Sequence, residues 1–182
     1  MHPALLYLPG SRLSRPELCA ARLDGHVVEV GDAYIPADLP ESADVRASSI
    51  ATLIQEGAAA CGPSAAWIHG ARDEPPAVHH ARRCVERRVR PRVHARVVFH
   101  DTRLPRTDVQ LLGGIAVSTP VRTMCDLATS LHRDPRFLPW MQALAQAHPE
   151  ALDDAIGSLR TRSRVPGSVS GLAALERLVR RR

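Results

Sequence analysis

Most of the strand-like sequence in this chain lies in one region between helical patterns. Four stretches combine β-branched and alternating polar residues, namely 78–85, 93–100, 108–112 and 115–118. Gly113-Gly114 predicts a tight hairpin between the last two stretches. Helical spacing follows and predicts helices over 120–130, 136–147, 149–162 and 170–181. Strands and helices that are segregated along a chain favour an α+β fold with a mixed sheet and C-terminal helices.

The N-terminal segment predicts one helix followed by a two-stranded hairpin. Ser14 and Glu17 have the spacing of a capping box, and Gly25 ends the helical pattern. Residues 26–30 and 33–36 then alternate on either side of Gly31-Asp32. We interpret residues 1–40 as a partial winged-helix module, a helix with its wing, and residues 41–182 as an α+β domain. This second domain begins with helical spacing over 43–56 and a further helix after Cys61-Gly62.

The basic residues exclude several classes of enzyme. All 24 are arginine, and the net charge is +5. A chain without lysine cannot form a P-loop, a Schiff base, a Ser-x-x-Lys hydrolase site or a standard kinase site. Arginine is instead suited to recognising carboxylates and phosphates through its planar fork.

Cysteine usage and hydropathy point to a cytoplasmic protein. The four cysteines are 42, 23 and 41 residues apart and include no CxxC pair, which argues against a zinc site or a disulfide framework. The N-terminus lacks the basic region of a signal peptide, and no apolar run approaches the ~20 residues of a membrane span. We therefore expect no membrane association and no cofactor.

The stretch VSTPVRTMCDLA, residues 117–128, predicts the start of a helix. Thr119 is a good N-cap residue, and Pro120 suits the first helical position. Arg122 and Asp126 are four residues apart and can pair on one helix face. Cys125 has no general base in the same segment, so these residues are expected to be structural rather than catalytic.

Arginine is concentrated in the strand region. Residues 82–103 contain only two acids, Glu86 and Asp101, against eight arginines: Arg82, Arg83, Arg87, Arg88, Arg90, Arg92, Arg96 and Arg103. This density is typical of a surface for a polyanion or an acidic protein, and it is equally consistent with a solvated strand face.

Alternation over residues 93–100 predicts which side chains of that stretch are buried. Val93, Ala95, Val97 and Phe99 share one face of a strand. We expect these four side chains to be buried. The other face carries His94, Arg96 and His100, which we expect to point outward.

The histidines of the strand region offer a different hypothesis. His79, His80, His94 and His100 lie near Asp101, but no short ligand spacing stands out, and the adjacent His79 and His80 would point to opposite sheet faces. We therefore expect no metal site and no small-molecule substrate. A small enzyme that uses His100, Asp101 and a nearby arginine remains an alternative.

Several segments resemble AbiEi-type antitoxins and their actinobacterial relatives. The matching segments occur in order over residues 11–130: SRPELCAARLDGHVVEVGDAYIPAD, SAAWIHGA, HHARRCVERRVRPRVH and DTRLPRTDVQLLGGIAVSTPVRTMCDLA. The resemblance implies a winged-helix module, an α+β domain, repression of the protein's own promoter, no enzymatic activity, and a nucleotidyltransferase-type toxin as partner.

Two departures from the family pattern accompany this resemblance. About 13 residues precede the first helix, so the earlier helices of a full winged helix are expected to be missing. No nuclease-like domain is expected after residue 175, and a truncated or inactive relative of a nuclease-domain protein is a second alternative. The candidate contacts to the toxin, or weakly to DNA, are Arg12, Arg15, Arg22, Arg82, Arg83, Arg87, Arg88, Arg90, Arg92 and Arg96.

Overall fold

The N-terminal module consists of one helix and a hairpin. The computed structural model describes residues 5–161 and 165–180. Helix α1 (Arg15–Leu23) begins at Ser14, whose hydroxyl accepts from the amide of Glu17 while the Glu17 carboxylate accepts from the amide of Ser14, so the predicted capping box is confirmed. Strands β1 (Val27–Val30) and β2 (Ala33–Pro36) form the predicted antiparallel hairpin.

A mixed five-stranded sheet forms the centre of the rest of the chain. Its strands are β3 (Ala58–Ala60), β4 (His79–Arg83), β5 (Val97–His100), β6 (Val109–Leu112) and β7 (Ile115–Ser118), in the order β5-β4-β3-β7-β6. The pairs β4–β5 and β3–β7 are parallel, and β3–β4 and β6–β7 are antiparallel. Gly113 and Gly114 both have positive φ, and they close the predicted β6–β7 hairpin with Leu112 opposite Ile115.

In the described part of the chain, six further helices pack against this sheet or against one another. They are α2 (Ala43–Ser49), α3 (Gly62–Ile68), α4 (Pro120–Ser130), α5 (Leu138–Ala147), α6 (Pro149–Thr161) and α7 (Ser168–Val179). The α+β fold predicted from the sequence is therefore confirmed. The predicted ends of the last two helices, at residues 162 and 181, and the terminal Arg182 lie outside the described residues. None of the helices in the described part of the chain is long and apolar enough to cross a bilayer.

Three apolar clusters hold these elements together. One joins α2, α3 and the sheet around Trp67, and a second joins α4 to α7 around Met124 and Leu144. A third, small cluster of Leu18, Val27 and Tyr34 lies inside the N-terminal module. Val30 and Ile35 on the hairpin belong to the first cluster, so the module and the sheet share a core.

The central strand β3 was not predicted from the sequence. Its three alanines have low strand propensity and show no alternation, since all three are buried. Small side chains suit a strand that is paired on both edges and covered on both faces. Pairing with β4 and β7 therefore determines this strand.

The prediction of a strand over residues 93–100 is correct only for its second half, Val97–His100. Regular pairing begins at Val97, which lies opposite His79, the first residue of β4. Val97 and Phe99 pack against the core, but Val93 is fully exposed and Ala95 is exposed, which contradicts the prediction for both. The alternation at 93–96 has no partner strand, because β4 does not extend far enough to pair with it.

Candidate functional site

Residues 84–96 connect β4 to β5 without regular helix or strand, and we call them the arginine segment. The segment carries five exposed arginines: Arg87, Arg88, Arg90, Arg92 and Arg96. Glu86 is its only acid. Although irregular, the segment is attached to the folded domain at several points along its length.

Gln55 binds the middle of the arginine segment. Its side-chain Nε2 donates to the carbonyl of Arg90 at 3.1 Å, and its Oε1 accepts from the amide of Arg92 at 2.7 Å. Both hydrogen bonds go to main-chain groups on either side of Pro91. One amide side chain therefore fixes the backbone on both sides of this proline.

Gly57 supports the first half of the arginine segment. Its carbonyl accepts from the amide of Cys84 at 2.9 Å, and its φ is +80°. A Cβ at this position would lie 3.1 Å from side-chain atoms of both Val85 and Val89. The two valines therefore cover Gly57 closely. Their inward packing leaves the arginines between and after them facing solvent.

Ion pairs hold the two ends of the arginine segment. Before it, Arg83 donates to the Asp101 carboxylate at 3.1 Å and to the carbonyls of Val85 and Glu86 at 3.0 Å. At its end, Arg96 binds both carboxylate oxygens of Asp32, at 2.8 and 2.5 Å. These bonds from Arg96 hold the pKa of Asp32 below its ordinary value.

The predicted basic residues therefore fall into two groups. The paired group contains Arg82, Arg83 and Arg96, and Arg103 also pairs with Glu86. Arg87 lies 3.7 Å from Glu56, and both side chains are mostly exposed. Within residues 5–161 and 165–180, no carboxylate lies within salt-bridge distance of the exposed Arg88, Arg90 and Arg92. Counting charges along the sequence missed Asp32, Glu56 and Asp126, which are distant in the chain.

The N-terminal candidates lie on or just before α1, and Arg15 lines the same surface cavity as Arg96 at the end of the arginine segment. Arg15 and Arg22 are exposed and seven residues apart on α1, which places them on the same helix face. Arg12 lies over the ring of Tyr7, with its guanidinium carbon 5.2 Å from the ring centroid. The structure thus presents two basic regions, α1 and the arginine segment.

The turn of the β1–β2 hairpin lies against the rest of the chain, which contains the five-stranded sheet and which we call the sheet domain. A Cβ on Gly31 would come within 2.4 Å of the Ser49 hydroxyl and 3.1 Å of the Trp67 ring. The neighbouring Asp32 binds Arg96. The tip of the hairpin, which we interpret as the wing, is therefore packed between α2, α3 and the arginine segment.

The segment that starts α4 has the predicted structural roles. The hydroxyl of Thr119 accepts from the amide of Arg122 at 3.3 Å, and Pro120 is the first helical residue. Arg122 pairs with Asp126 at 3.0 Å, as predicted, and also with Asp108 at 2.7 Å. Asp126 further pairs with Arg82 at 3.0 Å. These four largely buried charges join α4, β4 and the residue before β6, so Arg82 contributes to the fold and is not an exposed contact.

The cysteines near this network, Cys61 and Cys125, are both buried. Burial raises the pKa of the Cys61 thiol to about 12, despite the nearby guanidinium of Arg82. Cys125 is also buried, and its thiol donates to the carbonyl of Ala155 at 3.7 Å. The raised pKa of Cys61 does not favour the thiolate form that a nucleophilic cysteine needs.

Two of these histidines, His80 and His100, are paired on neighbouring strands of the five-stranded sheet. Nδ1 of His80 and Nε2 of His100 are 3.1 Å apart, with the rings stacked at 5.3 Å between centroids. His100 was expected to point outward and is instead half-buried, because it stacks on His80 of the neighbouring strand. Burial, with repulsion between the two rings, lowers the pKa of His80 to about 4.

This arrangement does not favour the alternative enzyme site. His100 contacts His80, while Asp101 is engaged by Arg83. In the described residues, no group of three or more His, Cys, Asp or Glu side chains has the geometry to hold a metal ion.

One hydroxyl–imidazole pair was missed from the sequence. Ser64 Oγ lies 3.1 Å from Nδ1 of His79 and accepts from the amide of His80 at 2.8 Å. Ser64 is fully buried, and His79 is 3% exposed. This pair therefore ties α3 to β4 and is not open to a substrate. Their separation of 15 residues gave no signal in the sequence.

These features define an α+β domain with a mixed five-stranded sheet, packed helices and a basic segment anchored on the surface. Residues 58–178 match the AbiEi antitoxin C-terminal domain family, and the chain belongs to this family. The match runs from β3 into α7 and includes the arginine segment. A search of curated proteins finds no match. The family resemblance seen in the sequence is thus confirmed, and membership of the actinobacterial branch stays a prediction.

Proposed function

We propose that this chain is a cytoplasmic antitoxin that acts by binding, with no catalytic step and no cofactor. Its partner is a nucleotidyltransferase-type toxin, and the arginine segment contacts an acidic surface of that toxin. Membership of the AbiEi antitoxin family supports the antitoxin role. We choose this surface because it presents three exposed arginines, Arg88, Arg90 and Arg92, on a segment that is held by the folded domain.

Electrostatics determine how these arginines act. Exposed charges at the rim of an interface mainly accelerate association, and salt screens their effect. Arginine also binds carboxylates with two parallel hydrogen bonds, which gives directional as well as electrostatic recognition. The segment therefore favours an acidic protein surface that presents several carboxylates.

The test reverses the charge of the exposed arginines. The triple variant R88E/R90E/R92E is compared with R106E/R133E/R180E, which changes the net charge equally at exposed arginines elsewhere. Arg96 is left intact, because its pair with Asp32 supports the fold. Association with immobilised poly-L-glutamate, a defined acidic polypeptide, is measured at two salt concentrations, with circular dichroism as the folding control.

We expect the first triple variant to associate at least about tenfold more slowly at low salt and to lose most of its salt dependence. The control variant should be affected much less. Equal association rates in the two folded variants would mean that the arginine segment is an ordinary solvated surface.

A second activity, weak binding to DNA, is supported by the exposed pair Arg15 and Arg22 on α1. In this proposal α1 and the hairpin form an abbreviated winged helix within residues 1–40. The hairpin turn is packed against the sheet domain, so the exposed face of α1 supplies the phosphate contacts. Phosphate contacts of this kind give affinity without sequence preference.

A further inference from the structure

We infer that Gln55 is a positioning residue that holds the arginine segment in its binding conformation. The inference rests on the proposed function of that segment. Gln55 precedes β3 and lies outside the region matched by the family. It carries no charge, so a role in recognition has to act through the arginines that it positions.

The geometry around Gln55 supports this role. Its amide group uses one donor and one acceptor on the carbonyl of Arg90 and the amide of Arg92. These two main-chain groups flank Pro91, which has a fixed φ and no amide proton to donate. Exposed arginines thus stand on both sides of a backbone position that is held by a single side chain.

The other attachments of the segment hold different residues, and Arg87 also lies 3.7 Å from Glu56. Val85 and Val89 cover Gly57 in the first half of the segment, and Arg96 binds Asp32 at its end. Among the contacts of the described residues, the two bonds from Gln55 are the only hydrogen bonds from outside the segment to residues 87–93. Loss of Gln55 should therefore free the residues that carry Arg90 and Arg92 while the fold survives.

A freed segment has to be ordered again on binding, which weakens the complex. The number and sign of the charges do not change, so long-range attraction and its salt dependence stay the same. The effect of Gln55 is therefore expected in the dissociation rate, whereas the effect of the arginines is expected in the association rate. A residue that acted only through general stability would not separate the two rates in this way.

The experiment compares Gln55→Ala with Gln146→Ala, which removes an exposed glutamine side chain from α5. Amide hydrogen exchange follows the Arg92 amide and the amides of β3 and β4. Kinetics on immobilised poly-L-glutamate follow both rates at two salt concentrations. We expect faster exchange at Arg92 only, an unchanged association rate, and dissociation about 3–10-fold faster in Gln55→Ala.

Two outcomes separate this inference from the proposed function. If R88E/R90E/R92E associates slowly but Gln55→Ala and Gln146→Ala dissociate at the same rate, the arginines bind and Gln55 does not position them. If the arginine variant associates normally, the proposed surface is wrong, and the premise of the inference falls with it. Faster exchange throughout β3 and β4 would make Gln55 a general stability residue and would also overturn the inference.

Discussion

Arg96 and Asp32 form a two-point ion pair between the arginine segment and the turn of the N-terminal hairpin. The Nη1–Oδ1 and Nη2–Oδ2 distances are 2.8 and 2.5 Å. The pair spans 64 positions of sequence and joins the module to the sheet domain beside the shared core. It consequently links the two basic regions of the protein.

We expect Asp32→Asn to lower the free energy of unfolding at neutral pH by about 1 kcal/mol, the usual size for a partly exposed charged hydrogen bond. The pKa of Asp32 is lowered by the bonds from Arg96. A carboxylate with a lowered folded-state pKa stabilises the fold above its unfolded-state pKa and loses that effect as the pH falls through the folded-state value.

The difference in free energy of unfolding between wild type and Asp32→Asn should therefore be full at pH 7. It should shrink as the pH falls below the ordinary aspartate pKa of 3.8. Urea titrations at pH 7 and in acid would measure it. A difference that persists undiminished in strong acid would contradict this assignment.

Asp126→Ala should destabilise the protein by roughly 3 kcal/mol, because it leaves two largely buried guanidinium groups without their shared carboxylate. The side chains of Arg82 and Arg122 are only 15% and 16% exposed. The control is Arg136→Ala, which breaks a pair with Asp134 in which the arginine is 90% exposed, and it should leave stability nearly unchanged.

Denaturant melts alongside poly-L-glutamate binding would test this prediction. Arg122→Ala should behave like Asp126→Ala. Lost binding with unchanged stability in either variant would make the α4 start a functional site.

His80→Gln should reduce the acid sensitivity of the fold. Burial lowers the folded-state pKa of His80 from 6.5 to about 4, so the unfolded chain takes up a proton over this range and the folded protein does not. Stability is therefore full above pH 6.5 and declines as the pH falls towards 4. Stability curves from pH 7 to pH 4 should be flatter for His80→Gln than for wild type. Parallel curves for the two proteins would show that His80 does not cause the loss of stability in acid.

Gly171→Ala should destabilise the helical core by about 1–3 kcal/mol. Its Cβ would lie 2.9 Å from the backbone of Ala128, so α7 would have to move away from α4. Gly157→Ala on α6 is the matched control, because its Cβ would meet no atom within 4 Å. This control should stabilise the protein by up to about 1 kcal/mol through helix propensity. Thermal melts of both variants would measure these changes in stability. Equal changes in the two variants would contradict close packing at Gly171.

DNA binding by α1 should be weak, salt-sensitive and nearly independent of sequence. Fluorescence titrations would compare the DNA upstream of the protein's own coding sequence with a scrambled duplex. Arg15→Ala and Arg22→Ala should each weaken binding to both duplexes by a similar factor. Tight binding that discriminates by about 10³ or more would show specific base recognition instead.

Local interactions in this protein could be predicted from the sequence alone. The capping box of Ser14 and Glu17, the Gly113-Gly114 turn and the pair of Arg122 with Asp126 each involve residues within four positions of one another. Their geometry follows from the backbone of a single turn or helix, so residue types and spacing suffice. The α+β class follows for the same reason, because it depends on the order of such local patterns.

Tertiary structure decided the central strand and the candidate site. Ala58–Ala60 is a strand because β4 and β7 lie on both sides of it, and residues 93–96 are not, because no partner strand reaches them. The sequence indicated a basic region, but which arginines are paired depends on acids as distant as Asp32 and Asp126. The contact of Gln55 with Arg92 spans 37 positions. Such contacts form only when the whole chain has packed, since no local backbone preference brings these residues together.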